Sequence, residues 1–229
     1  MWKPTRPALT TSRRREELPV RHHSLKIGLL AVALAAVTAG CSTPPVVGTP
    51  GPQSNGVAAD GKLPSGAPHV ANPLDTTRGQ SAPCNVLTQA QISSLGIVAT
   101  GKPSTDPTGP GCNWSDTSTI PLLMTIGTGF ITASKGGLSS LYVQAESLKK
   151  AGGYFEPVDP IQGFPAVLYG QLDDRKDKTN PGCGLAVGVS DTLQFTVSVD
   201  TTTAHQQFDP CAIAKKVADF VMTNLKAGS

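Results

Sequence analysis

The sequence is short of charge, of histidine and of long apolar runs. Only 15% of its 229 residues are Asp, Glu, Lys or Arg, while 24 Gly and 20 Pro make up about a fifth of it. That balance excludes a long coiled coil, which needs Glu, Lys and Leu in quantity. Of four histidines, only His205 falls in the region read below as folded, in the polar run Thr201–Gln207. It reads as a solvated loop residue rather than the base of a Ser-His-acid triad. No Cys-x-x-Cys is present, and no strand leads into a Gly-x-Gly-x-x-Gly or Walker-type stretch, so zinc knuckles and phosphate-binding loops drop out. Asp173, Asp174 and Asp177 hint at calcium. They alternate with Arg175, Lys176 and Lys178 and lack the glycine and final glutamate of an EF-hand loop, which makes a self-neutralising exposed turn the better reading. No catalytic residue, metal or cofactor is expected, and the chain reads as a non-enzyme.

What is there begins with an address. Seven of the 19 basic residues precede position 41, against two acidic ones, so residues 41–229 carry 12 basic and 14 acidic side chains, a net of −2. The basic character belongs to the leader, and nucleic-acid binding, which gathers Lys and Arg on one face of a domain, is not expected. Arg21, His22, His23 and Lys26 precede the apolar run Ile27–Val37, too short to span a membrane as a helix. With Thr38-Ala39-Gly40-Cys41 it makes a secretory signal peptide over residues 1–40. Small residues directly before a cysteine resemble a bacterial lipobox, with Thr38 where leucine is commonest. The resemblance implies cleavage after Gly40 and lipid on the sulfur and α-amino group of Cys41, which would hold the chain to the outer face of the cell membrane. Residues 1–19 suit a leader poorly, because Glu16-Glu17 spoils the twin-arginine pattern begun at Arg13. We read Val20 as the translation start, an expectation that a cellular peptide from residues 1–19 would overturn.

Residues 41–83 read as the lipidated cysteine and a flexible spacer. Eight prolines and six glycines lie among the 42 residues from Ser42 to Pro83, too few apolar groups to offset chain entropy. His69 sits in that stretch and reads as inert. Residues 84–229 read as one α+β domain. Thr88 to Gln91 forms a capping box with a staple between Leu87 and Ile92, and Gly96 stops the helix. Cys112 to Trp114 opens an alternating strand, Ser115–Ser118 a turn, and Leu122, Met124 and Ile126 share a face of the next strand. Leu138, Leu141, Tyr142, Ala145 and Leu148 predict one helix ending at Gly152-Gly153. Phe164–Tyr169 predicts a strand, Asp173–Asn180 a loop, and Leu185–Val189 with Leu193–Val199 a hairpin around Ser190-Asp191-Thr192. Asp209 caps a last helix with Pro210 at its first position, buried along Ile213, Val217, Phe220, Val221 and Leu225. The expected fold is a mainly antiparallel sheet with helices packed on it.

Besides Cys41 there are four cysteines, an even count that in an exported domain reads as two disulfides with three possible pairings. We favour Cys84–Cys112 and Cys183–Cys211, each spanning 28 positions and joining a helix start to a strand or its preceding loop. The lipobox, the spacer, Cys84 before Leu87-Thr88, Gly111-Cys112-x-Trp114, Gly163-x-Pro165-Ala166-Val167, Cys183 and a last helix bearing Cys211 together resemble the actinobacterial lipoproteins of domain-of-unknown-function family 3558. The resemblance implies a cell-surface lipoprotein without an assigned activity. The element order is also similar to PsbP-like α/β/α sandwiches and to cysteine-paired extracytoplasmic sensor domains, which implies ligand or partner binding. Trp114 is expected in the core beside Cys112 or on a pocket wall, and Tyr142 and Tyr169 as packing aromatics or the lining of a groove. The functional expectation is an envelope lipoprotein that binds a partner protein or an apolar or cell-wall-derived ligand. An accessory or sensor module acting only through protein contacts is the alternative, with an unrecognised hydrolase behind both.

Overall fold

The computed structural model describes residues 60–63, 65–116, 124–202 and 208–228. These lie in the second of two contact units, Pro50–Ser229. The leader, Cys41, the spacer up to residue 59, Leu122, the second half of the expected 115–118 turn and His205 fall outside the described residues.

Seven strands form one antiparallel sheet: β1 (Lys102–Ser104), β2 (Gly111–Ser115), β3 (Met124–Ile131), β4 (Tyr154–Ile161), β5 (Phe164–Gly170), β6 (Gly182–Ser190) and β7 (Leu193–Thr201), in the order β1-β2-β3-β7-β6-β5-β4. Short helices α1 (Thr77–Ser81) and α2 (Gln89–Ser94) precede it, with a 3-10 turn at Pro83–Val86 between them. Helices α3 (Ser139–Tyr142) and α4 (Ala145–Lys150) join β3 to β4, and the long α5 (Pro210–Lys226) closes the chain. No helix among the described residues is long and apolar enough to cross a membrane.

The local signals act as their chemistry requires. Thr88 accepts from the Gln91 amide while the Gln91 side chain accepts from the Thr88 amide, and Gly96 takes the left-handed conformation just beyond α2. The β6–β7 hairpin pairs Ser190 with Leu193 across Asp191-Thr192. The Asp209 carboxylate accepts from the Cys211 amide at 2.8 Å and caps α5. Both disulfides form as favoured, Cys84–Cys112 and Cys183–Cys211. One ties the 3-10 turn to β2, the other ties β6 to the first turn of α5.

Strand alternation then sorts side chains onto two faces. Ile126, Phe130, Leu185, Val187, Phe195 and Val197 point to one face, where α5 lays Val217, Val221, Met222 and Leu225 over them and α2 adds Ile92. Phe130 and Phe195 are tilted neighbours with ring centroids 5.8 Å apart. On the opposite face a smaller cluster gathers Leu138, Leu141, Phe155, Val167 and Ala186 under α3.

Three expectations need correction. Residues 60–83 are not spacer: Leu63, Ala67, Val70 and Thr76 are buried, Leu74 donates its amide to Val189, and Asp191 at the hairpin tip clasps this segment. Its carboxylate bonds the His69 ring at 2.7 Å and accepts from the Val70 amide at 2.8 Å. A remote polar residue thus orders a stretch whose own composition provides little burial, and His69 is a structural contact. The single helix expected from Leu138 to Leu148 is two short ones, because α4 contributes no buried residue and nothing enforces a continuous stripe. Finally β4 carries Pro157 and Pro160, which hid it from a strand reading. It is an edge strand with an irregularity between Val158 and Ile161, the setting in which proline is tolerated.

Candidate functional site

Among the described residues the face opposite α5 is covered only towards β4–β6. Across β1, β2, β3 and β7 it lies open as a groove of about 610 Å3 that reaches Tyr169 and Asp174 at its far end. Strand register builds the floor. Gly111 pairs with Gly129, Gly127 stands between Asn113 and Ser198, and Gly184 pairs with both Ser198 and Tyr169. These glycines leave the backbone uncovered where other strands would carry side chains. A Cβ on Gly127 would stand 2.6 Å from Ser198 Oγ and 2.9 Å from Asn113 Oδ1, so the two side chains lean in over the gap. Neither makes a side-chain hydrogen bond among the described residues.

The far end is held by Arg175. Its guanidinium forks onto Asp173 with two 2.7 Å bonds, reaches Glu156 at 2.9 Å and stacks 4.0 Å over the Tyr154 ring. The Tyr154 hydroxyl in turn accepts from the Gly184 amide at 2.9 Å. Burial pushes the Tyr169 hydroxyl up to about 12, with Tyr154 adding to it, so Tyr169 stays a neutral donor at physiological pH. Asp174 Oδ2 and Asp200 Oδ1 lie 2.9 and 3.0 Å from the point where a Cβ on Gly182 would stand, and so face each other across that glycine. Asp200 is on the protein surface, yet the groove walls crowd its carboxyl. That crowding first, and the charge of Asp174 second, raise it above the ordinary carboxylate range.

The expected aromatics separate. Tyr169 lines the groove. Trp114 is 2% exposed and belongs to the core on the α5 face, where Gly101 approaches both its indole and the Cys112 sulfur. Tyr142 stacks edge-on to Phe155 at 4.9 Å in the smaller cluster, and burial raises its hydroxyl. Ser198, Asp200 and the floor glycines other than Gly111 were not singled out from sequence, and Asn113 was read only as part of the strand that Cys112 opens. The signal present was the alternation of glycine with hydroxyl and amide residues on the outward positions of β2, β3, β6 and β7. No group of three or more His, Cys, Asp or Glu among the described residues is placed to hold a metal ion.

A family model described as a protein of unknown function, DUF3558, matches residues 36–224. The chain belongs to this family. The match takes in the whole sheet, both disulfides and nearly all of α5, so the groove of this DUF3558 domain lies within the family region. No curated protein and no solved structure matches the chain.

Proposed function

We propose that this DUF3558 protein is an envelope lipoprotein, held at the outer face of the cell membrane by lipid on Cys41, that works by binding a ligand rather than by catalysis. The observation that carries the reading is the open groove on the sheet, a concave surface with convergent polar groups on a rigid, disulfide-tied scaffold. The leader pattern ending Gly40-Cys41 supports the anchor. The lining supports a ligand that carries polar groups, since glycine, serine, threonine, asparagine and aspartate dominate it. A hydrolase is not favoured. The one His–Asp contact among the described residues, His69 with Asp191, has no hydroxyl bonded to the other ring nitrogen.

Mass spectrometry of the protein extracted from its own membranes tests this. The denatured mass is expected to show a lipidated start at Cys41 and four hydrogens missing for two disulfides. A native mass excess that disappears on denaturation, and is lost when the groove is filled by Gly129→Trp, identifies a groove ligand. An excess of protein size that survives groove filling would instead favour an accessory module acting through protein contacts. An unlipidated start would overturn the anchor.

A further inference from the structure

Among the described residues the groove carries one sign of charge. Its lining there holds three carboxylates, Asp106, Asp174 and Asp200, and no lysine, arginine or histidine. Asp106 sits beyond the β1 end and is held ionised by hydrogen bonds from Thr108. Asp174 and Asp200 flank Gly182, where β6 begins beside the end of β7. Arg175, next to Asp174 in the chain, is already engaged by Asp173 and Glu156 and stacked on Tyr154. Two carboxylates facing each other across Gly182 repel, and a cation placed between them relieves the repulsion.

Along the row Asn113, Gly127, Ser198, Gly184 and Tyr169 the floor is uncharged. From β2 to β5 it crosses β3, β7 and β6, a run of about 19 Å at the usual strand spacing. Glycines at 111, 127, 129 and 184 let a chain lie close to the sheet, while Asn113 and Ser198 offer free donors and acceptors midway. A polymethylene chain would leave those groups without partners, which is costly once water is excluded. Backbone amides satisfy them. An extended chain rising about 3.4 Å per residue needs five or six residues to cover that length.

We propose that the groove binds a short extended peptide carrying free ammonium groups, one of them seated between Asp174 and Asp200. This rests on the reading of the groove as a ligand site and adds the ligand's class. The charge of the lining excludes acidic and phosphorylated ligands. The amide-matching floor separates a peptide from a simple polyamine.

The test uses the full mature chain in detergent micelles, titrated calorimetrically with pentalysine, pentaalanine, pentaglutamate and spermine. Pentalysine is expected to bind, more weakly as salt rises, while pentaalanine and pentaglutamate do not. The double substitution Asp174→Asn with Asp200→Asn is nearly isosteric and is expected to weaken pentalysine by tenfold or more. Asp159→Asn, outside the groove lining, is the control for loss of a surface carboxylate and should leave affinity unchanged. Gly129→Trp is expected to abolish binding with the circular dichroism spectrum unaltered. Equal loss in the control and the double variant, or tighter binding of spermine than of pentalysine, overturns the proposal. If pentalysine fails while a native mass excess is still lost with Gly129→Trp, the cationic peptide falls and the groove reading stands. Absence of both removes the groove reading as well.

Discussion

The two faces of the sheet are made by the same strands, residue by residue in alternation, and end up with opposite chemistry. On β7, Phe195, Val197 and Val199 are buried under α5, while Thr196, Ser198 and Asp200 look into the groove. On β3, Ile126 and Phe130 face the core while Gly127 and Gly129 face the open side. The covered face stabilises the domain through apolar area removed from water, and burying one large side chain is worth about 1.5–3 kcal/mol. The open face contributes little burial, and its glycines cost backbone entropy in strands. A sheet built this way separates the region that holds the fold from the region free to meet other molecules.

Substitutions can break or sharpen this contrast. The largest effect is expected at the covered face: Phe195→Ala should cost about 3–5 kcal/mol in urea unfolding, because it empties a fully buried position beside Phe130. Removing either disulfide by paired Cys→Ala changes should cost about 3–4 kcal/mol, in line with closed loops of 28 positions. A loss at Cys183–Cys211 far above that at Cys84–Cys112 would show that α5 depends on its tie to β6 for more than chain entropy. Within the floor, Gly184→Ala should cost about 1–3 kcal/mol, since its Cβ would meet the Tyr169 carbonyl oxygen at 2.4 Å. Gly129→Ala, with its nearest neighbour at 3.5 Å, should be neutral or stabilising by up to about 1 kcal/mol.

The smallest effect is electrostatic. The folded-state pKa of Asp200 lies above its unfolded value, so its contribution to stability is present below the ordinary carboxylate range and is lost as pH rises through the raised value. Asp200→Asn should therefore be more stable than the parent at pH 7 by at most a few tenths of a kcal/mol, after solvent screening. The difference should close when pH falls below about 4. Asp75, Asp106, Asp173 and Asp177 are held low by hydrogen bonds, chiefly from Thr77, Thr108, Arg175 and the Asn180 amide respectively. Their contribution runs the other way in both proteins, present above the ordinary range and lost as pH falls, and it cancels in the comparison.

Elements whose signal is local were legible from sequence. The Thr88 capping box, the Asp209-Pro210 start of α5, the hairpin around Asp191 and the paired cysteines each depend on residues near one another or on parity of count. What escaped depends on partners far along the chain. The 60–70 segment is ordered by Asp191, more than 120 positions away. The edge strand β4 exists because β5 lies beside it, despite its prolines. The groove was least visible, because a glycine in one strand says nothing until register sets it opposite Gly129, Ser198 or Tyr169. Asp174 and Asp200 come together only across the sheet edge of Gly182. Of the groove residues, Tyr169 was found in advance through its aromatic bulk, while Asp174 was read only as part of an exposed turn.

The two disulfides also divide the chain for a protease. Each closes its own loop, Cys84 to Cys112 and Cys183 to Cys211, and the loops do not interlock in sequence. A nick inside either loop leaves both fragments covalently joined, so α5 stays fastened to β6 even if the segment between β7 and α5 is cut. A nick anywhere in residues 113–182, including the lysine-bearing stretch Arg175–Lys178, separates the chain into two covalent pieces held together by noncovalent contacts alone, the β3–β7 pairing and the core under α5 among them. Fragment masses before and after reduction would therefore locate a cut in a protease digest without sequencing.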